Sequence, residues 1–244
     1  MEERIIKVFD ETGYRWMETT LDSQNFLLIA LSAKLLTNTS TPQMLLDLGA
    51  GTGRFSGRLH ELGFEVIGLE PAESLRKIAQ NNYPQIQFIA GSATSLPFPD
   101  NSFDAIVCVD VLEHIPNTSL AIQEMYRVLK PGGQAIIIDK NINSLHHLYF
   151  IPTRIWKFAK ESLGRWMYTT KFPFKEKYFS PVELQKLLQE HFRSASWLPI
   201  IYVSDPKHRI FWKTWFWQLH QFVSQRLIKV FPRLSFYVLW QATK

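Results

Sequence analysis

Short apolar runs alternate with helical patterns over residues 43–139, and this alternation restricts the chain to few folds. The runs are apolar throughout, as in strands that are buried on both faces of a sheet. Strands separated by helices form parallel βαβ units, because a parallel pair needs a long crossover. The strand candidates are QMLLDLG, FEVIGLE, IQFIAG, DAIVCVD and QAIIIDK, and the helix candidates are 53–62, 72–81 and 117–130. The pattern predicts a doubly wound α/β domain.

The flanking sequence extends this core at both ends. Residues 1–40 are predicted as N-terminal helices before a core at 41–140. An aromatic and basic cap is predicted at 141–178, where the alternation stops. Residues 179–244 are predicted to complete the sheet with the strands WLPIIYV and SFYVLWQ, which enclose a helical insertion at 207–231. The chain thus has one full-sized domain with elaborations.

A glycine-rich turn follows the first predicted strand. Gly49, Gly51 and Gly53 lead from this strand into a helix, as needed where a ligand lies against bare backbone. A dinucleotide fingerprint places its third glycine at position 54, but Arg54 stands there, so the spacing disfavours NAD. Glu70 ends the next strand, where an acidic side chain can accept hydrogen bonds from both ribose hydroxyls.

Four segments, in order and at suitable intervals, resemble class I S-adenosylmethionine-dependent methyltransferases. The resemblance is to the small-molecule branch, the methyltransferase type 11 and ubiquinone-biosynthesis-like proteins. The segments are LDLGAGTG, GLEP, SLPFPDNSFD followed by AIVCVDVLEHI, and EMYRVLKPGG, within residues 44–139. The resemblance implies S-adenosyl-L-methionine as cofactor. It also implies a seven-stranded, mostly parallel sheet with an antiparallel last strand.

Carried over by position, the resemblance implies where the cofactor binds. Asp47 and the backbone of Gly49 and Gly51 would face its methionine part and ribose, while Asp110 would lie near the methionine end. Many relatives have an acidic residue that accepts from the adenine amino group where this chain has Ser92. That contact is therefore expected to be weaker, or to come from the Ser92 hydroxyl or the Ala93 amide. The implied cofactor-binding residues are Asp47, Gly49, Ala50, Gly51, Gly53, Glu70, Pro71, Ser92, Ala93 and Asp110.

Three histidines are candidates for a general base that would deprotonate an oxygen acceptor. His114 follows the fourth strand, and His146 and His147 follow the fifth, where the acceptor pocket is expected. The alternatives are that His114 packs beneath the site and that the pair lies on the surface. We favour His147 or His146 and assign no role to Glu113. No metal site is predicted, because no helix face has His and carboxylate pairs at ligand spacing.

Charge and tryptophan are unevenly distributed along the chain. Residues 1–139 have 10 Lys+Arg against 17 Asp+Glu, whereas residues 140–244 have 17 against 5 and seven of the eight tryptophans. Thr153–Met167 is predicted as a basic amphipathic helix with apolar aromatics, and Ile210–Phe231 repeats the theme. Such helices are typical of an anionic membrane surface. The alternative is a cap that packs over the acceptor pocket.

These observations favour methyl transfer to a hydrophobic or lipid-linked small molecule, with oxygen as the expected acceptor atom. One alternative is an RNA methyltransferase that uses the basic half, although the chain lacks the Asn/Asp-Pro-Pro-aromatic signature of base methylation. Another is a non-catalytic cofactor-binding scaffold, suggested by Ser92. No signal peptide or membrane-spanning run is evident, so a cytoplasmic protein with peripheral membrane association is expected. Nucleic acid is a disfavoured partner, and the oligomeric state is not predicted.

Overall fold

The computed structural model describes residues 2–17, 43–144, 152–163, 176–200, 222–223 and 226–244, with side chains described only as far as Glu11 in the first range. His146 and His147 lie outside these residues, as do residues 18–40 of the predicted N-terminal helices. Most of the predicted insertion at 207–231 and residues 164–175 of the predicted cap also lie outside them.

The described residues form a seven-stranded sheet of order β3-β2-β1-β4-β5-β7-β6. Strands β1 to β5 are parallel, and β7 pairs antiparallel with both β5 and β6. This arrangement confirms the predicted fold class. The strands are β1 Met44–Leu48, β2 Glu65–Leu69, β3 Gln87–Ile89, β4 Phe103–Val109, β5 Leu129–Lys140, β6 Ser194–Ile200 and β7 Tyr237–Thr243.

Helices accompany the strands, and the helix that follows Ser180 has a well-defined N-terminal cap. The segment SPVEL forms a capping box, in which Ser180 Oγ accepts from the Glu183 N–H at 3.2 Å. Two 3-10 turns lie at Leu112–His114 and Pro232–Leu234. The α-helices with both ends among the described residues are α1 Glu2–Met17, α2 Arg54–Glu61, α3 Glu73–Asn82, α4 Thr118–Val128, α5 Thr153–Ser162 and α6 Pro181–Gln189. Residues 222–223 and 226–230 are also helical.

Apolar side chains cover the sheet on both faces. On one face, residues of α2 such as Phe55 and Leu59 pack with β1 and β2. On the other, Ile122 and Met125 of α4 pack with Leu184 of α6 and the central strands. The parallel strands therefore end at one edge between two helical layers, where ligands bind in open α/β sheets.

Several predicted boundaries differ from the structure, and the starts of β6 and β5 show why. Strand β6 begins three residues before the predicted WLPIIYV, because it pairs with β7 from Ser194 opposite Thr243 to Ile200 opposite Tyr237. Strand β5 begins at Leu129, where a register irregularity precedes the pairing of Ala105 with Gln134. In both cases pairing with a distant strand, rather than the local apolar run, sets the boundary.

Candidate cofactor and acceptor site

The glycine-rich turn folds back onto the end of β2. The N–H groups of Gly49 and Ala50 both donate to the Leu69 carbonyl, at 2.9 and 3.0 Å. Gly49, Gly51 and Gly53 have φ values of 79°, 55° and 82°, in the left-handed region that favours glycine. A Cβ on Gly49 would also lie 2.3 Å from Val111 Cγ2. The turn therefore presents bare backbone at the sheet edge.

Glu70 is fixed beside this turn by two backbone donors. Its Oε2 accepts from the Gly51 N–H at 2.9 Å and its Oε1 from the Ala72 N–H at 2.8 Å. The side chain is buried, and burial raises the pKa of Glu70 to about 7, although the two N–H groups and Arg76 act to lower it. Each carboxylate oxygen retains a further lone pair for a hydroxyl donor.

Asp47 lies at the end of β1 beneath the turn. Ser56 Oγ donates to its Oδ2 at 2.5 Å, and the carboxyl is buried. Burial raises the pKa of Asp47 to about 6 against the lowering effect of Ser56. Asp47 therefore joins the end of β1 to the first turn of α2, and its role in cofactor binding stays a prediction.

One cleft at the carboxyl edge brings most of the predicted site residues together. Its volume, including open solvent at the mouth, is about 710 Å³. Asp47, Ala50, Gly51 and Gly53 lie in or beneath the turn behind this cleft, and Ser92 stands between two lining residues. The predicted residues that line the cleft are Gly49, Glu70, Pro71, Ala93, Asp110 and His114.

Helix α1 forms a wall of the cleft that sequence patterns did not reveal. Glu2, Ile5, Ile6 and Phe9 line the cleft from this helix. A hydrogen-bonded junction with α3 holds it in place, as Asp10 Oδ1 accepts from the Ser74 N–H at 2.6 Å. The N-cap residue of α3 makes no side-chain cap bond, so Asp10 supplies that cap from another helix. No local motif links residues that are 64 positions apart.

A buried ammonium group contacts Asp110, one of the residues that line the cleft. Lys140 Nζ lies 3.2 Å from Asp110 Oδ1 and also contacts Glu113 Oε1. Burial acts to lower the pKa of Lys140, but Asp110 and Glu113 hold it well above its ordinary value. Tyr237 Oη donates to Asp110 Oδ2 at 3.3 Å. The φ of Asp110 is 55°, a strained conformation of the kind that clusters at functional sites.

His114 is held between two carboxylates. Its Nε2 lies 3.2 Å from Glu113 Oε1 and its Nδ1 3.7 Å from Glu176 Oε1. Burial acts to lower the pKa of His114, but the two carboxylates raise it above its ordinary value. Burial also acts to raise the pKa of Glu113, which Lys140 and His114 lower to about 2. This environment favours the imidazolium form, and the role of His114 as a base stays a prediction.

The same cluster brings carboxylates within metal-ligating distance of one another. The sequence did not indicate this arrangement, because the ligands do not lie on one helix face. Ligand atoms of Glu113, His114 and Glu176 lie within 4.8 Å of one another, as do those of Asp110, Glu113 and Asp139. The Lys140 ammonium already contacts a carboxylate that belongs to both groups. A cation is thus built into the cluster, so a divalent metal would meet electrostatic repulsion there.

Three charged residues near the site were not predicted from the sequence, and these are Asp139, Lys140 and Glu176. The sequence had a recognisable signal for the first two. Asp139 and Lys140 end the apolar run of β5 at the edge where the cofactor turn lies. Asp139 is fully buried and accepts from the N–H groups of Glu113 at 3.1 Å and Lys140 at 2.8 Å. A charged pair after a buried strand was therefore a pointer to the site, whereas nothing local marks Glu176.

The chain is similar to known methyltransferases over its core and beyond. The family model described as "Methyltransferase domain" matches residues 46–137. A demethylmenaquinone methyltransferase of Renibacterium salmoninarum is 40% identical over 97 residues, which are 40% of this chain and 41% of that protein. The chain thus spans about two fifths of the length of the first curated relatives it matches.

Other relatives match over a longer part of the chain. A demethylmenaquinone methyltransferase of Listeria monocytogenes is 30% identical over 178 residues, 65% of this chain and 75% of that protein. Among solved structures, a Thermotoga maritima S-adenosylmethionine-dependent methyltransferase, described as a possible histamine N-methyltransferase, has a TM-score of 0.67. It is 20% identical, with 98% of this chain and 99% of that chain covered, and supports the fold alone.

The residues of the site fit S-adenosylmethionine, the cofactor of this family. Glu70 has acceptor capacity for a ribose diol, and its raised pKa is the consequence of a buried carboxylate that lacks enough donors. Gly49 lines the cleft together with Glu70, and the absence of a side chain there lets Val111 pack directly against the turn. With the fold, the glycine turn and the Listeria similarity together, the chain belongs to the class I S-adenosylmethionine-dependent methyltransferases, in their ubiquinone- and menaquinone-biosynthesis-like branch.

Proposed function

We propose that the protein transfers the methyl group of S-adenosylmethionine to an apolar, quinol-like small molecule. The observation that carries this proposal is the single cleft that joins Glu70 and the glycine turn to Asp110 and His114 between apolar walls. The names of the relatives, demethylmenaquinone methyltransferases, support a lipid-linked quinone as the acceptor class.

The residues of the chain would act mainly by positioning. The bound cofactor supplies a methyl group already activated on a sulfonium. Glu70 would hold the ribose hydroxyls and the turn at Gly49 and Gly51 would bind the methionine part, so that the methyl group faces the Asp110 end. Orientation of this kind contributes on the order of 7–11 kcal/mol in favourable intramolecular reactions.

At the acceptor end, a quinol hydroxyl must lose its proton. The phenolate is the stronger nucleophile at oxygen and at the adjacent ring carbon, so both reactions require a base within hydrogen-bond reach. His146 and His147 remain the proposed bases, with His114 third. The partly exposed Asp110 carboxylate is the alternative acceptor of the proton among the described residues. Oxygen remains the proposed methyl acceptor.

Single variants test these roles. We expect loss of the base to reduce turnover by about 10²–10⁴-fold. In the histidine variants the affinity for S-adenosylmethionine should change less than about threefold, whereas Asp110→Asn is also expected to weaken cofactor binding. The variants are Asp110→Asn, His114→Gln, His146→Ala and His147→Ala. If all four retain turnover within about threefold, none of these side chains is the base.

The main test begins with isothermal titration of S-adenosylmethionine. Binding without any methyl transfer supports the scaffold alternative, and absence of binding refutes the enzyme proposal. If the cofactor binds, methyl-labelled cofactor is supplied with a reduced naphthoquinone that carries an isoprenoid chain. Label on this quinol supports the proposal, and NMR then assigns it to oxygen or carbon. Label on RNA but not on quinol would favour the RNA alternative.

We also propose that α5 places the acceptor site against an anionic membrane. Ile155, Phe158 and Leu163 on and after α5 are 59%, 72% and 69% exposed, an unusual density of apolar surface. Arg154 and Lys160 accompany them on the same short helix. More exposed apolar residues lie later in the chain, before β7, and these are Phe222, Val223, Val230 and Phe231. No helix in the described part of the chain has the length and apolar content needed to span a membrane.

Vesicle sedimentation tests this surface. Binding is expected to vesicles that contain an anionic lipid, to weaken with salt, and to fall about tenfold or more in Phe158→Ser. Leu62→Ser, which removes an exposed leucine at the end of α2, serves as control. Equal binding by wild type and Phe158→Ser, or stronger retention on RNA than on vesicles, would refute the proposed membrane surface.

A further inference from the structure

The adenine end of the cleft has an unexplained departure from the family pattern at position 92. Relatives have an acidic acceptor for the adenine amino group there, whereas this chain has Ser92. A hydroxyl is a weaker acceptor than a carboxylate, because hydrogen bonds to charged groups are about twice as strong. The departure alone predicts poor recognition of adenine.

A carboxylate nevertheless lies at this position, and it comes from α1. Glu2 Oε1 accepts from Ser92 Oγ, and Glu2 Oε2 accepts from Thr94 Oγ1 at 3.2 Å. Thr94 N–H donates to Ser92 Oγ at 3.0 Å, which orients the serine hydroxyl toward Glu2. Glu2 lines the cleft together with Gly91 and Ala93, the two neighbours of Ser92.

The position of Glu2 is set by the packing of its helix. Ile5, one turn along α1, is 7% exposed and lines the same cleft. Further along, Phe9 packs edge-on against His114 with 5.0 Å between ring centroids, and Asp10 is hydrogen-bonded to Ser74. Contacts at both ends of the described part of α1 thus hold the helix across the cleft.

We propose that Glu2 is a cofactor-binding residue that accepts from the adenine amino group, in place of the acid that relatives have at position 92. This inference rests on the proposed use of S-adenosylmethionine. Each Glu2 oxygen has a lone pair beyond the one that its hydroxyl donor occupies. The carboxylate selects an amino group over a carbonyl at the purine 6-position, because a carbonyl would oppose an acceptor with an acceptor.

The test measures binding, not turnover, with two ligands that differ at the purine 6-position and at the adjacent N1, which is a hydrogen-bond acceptor in the first ligand and an N–H donor in the second. These ligands are 5′-methylthioadenosine, which has an amino group, and 5′-methylthioinosine, which has a carbonyl. Wild type is expected to prefer the adenosine compound by about tenfold or more. Glu2→Gln is expected to lose or reverse this preference, because its amide donates as well as accepts. Glu3→Gln, an exposed residue of the same helix turn, should keep it.

A second variant distinguishes recognition of the purine by Glu2 from attachment of α1 to α3. Asp10→Ala removes the junction with α3 and should weaken both ligands while leaving the preference unchanged. If Glu2→Gln retains the wild-type preference within about threefold, the inference about Glu2 is refuted. If wild type binds neither these ligands nor S-adenosylhomocysteine, the proposed cofactor use fails instead.

Discussion

Glu70→Gln tests how the buried carboxylate beside the glycine turn serves both folding and binding. The amide keeps one acceptor oxygen and places an NH₂ group against either the Gly51 or the Ala72 N–H. One buried donor is then left unsatisfied, which costs about 1–3 kcal/mol at every pH. This part of the change is the same across the pH range, because neither an amide nor a backbone N–H titrates there.

The pH-dependent part comes from the carboxyl group itself. Burial raises the pKa of Glu70 to about 7 from 4.5. Because the folded state binds the proton more tightly, this stabilisation is complete below pH 4.5 and is lost as pH rises through 7. At about 1.4 kcal/mol per pKa unit, the free energy of unfolding of the wild type should fall by about 3 kcal/mol over this pH range. The Glu70→Gln variant should not show this fall. Asp47, with its pKa raised to about 6, titrates in both proteins and cancels in the difference.

The assay is urea unfolding of both cofactor-free proteins between pH 4.5 and 8, followed by titration with S-adenosylmethionine. The cofactor is expected to bind about 100-fold more weakly to Glu70→Gln, as two hydroxyl hydrogen bonds to a charged group are worth about 3 kcal/mol or more. Wild-type affinity should rise from pH 6 to 8, because hydroxyl donors favour the ionised carboxylate. Parallel stability curves, or affinities within about threefold, would refute this reasoning.

Two further changes test the glycine turn and the buried ammonium. Gly49→Ala combines a φ of 79° with a 2.3 Å approach to Val111, whereas Gly63→Ala at φ 95° has open space. In urea titrations Gly49→Ala should therefore lose about 1–3 kcal/mol more stability than Gly63→Ala, and an equal loss would contradict the close approach. Lys140→Met leaves Glu113 buried without its cation and should cost about 3–5 kcal/mol in the same assay. Glu113→Gln added to Lys140→Met should recover part of that loss, and strictly additive losses would argue against their coupling.

The order of the core elements follows from local chemistry. Short continuous apolar runs that alternate with helices are typical of parallel strands buried on both faces of a sheet. Gly49, Gly51 and Gly53 allow backbone angles that other residues avoid. Glu70 was recognisable because strand length and turn position place the end of β2 beside the glycine turn. Each of these features depends on residues within one βαβ unit, so the sequence alone could predict it.

The remaining contacts join positions far apart along the chain, where periodicity has no information. Glu2 meets Ser92 across 90 positions, and Lys140 meets Glu113 across 27. Two carboxylates, the adjacent Glu113 and the distant Glu176, raise the pKa of His114 against the effect of burial, and its role as a base stays a prediction.

The sequence by itself determined the sheet, its glycine turn and the acid at the end of β2. These features depend on local backbone geometry and on which residues are apolar enough to be buried. The tertiary structure decided what surrounds the glycine turn: helix α1, which places Glu2 beside Ser92 in the cleft, and a buried cation that contacts Asp110 and Glu113. These depend on how distant elements pack, since a carboxylate or ammonium acquires its properties from neighbours that only the folded chain brings within reach.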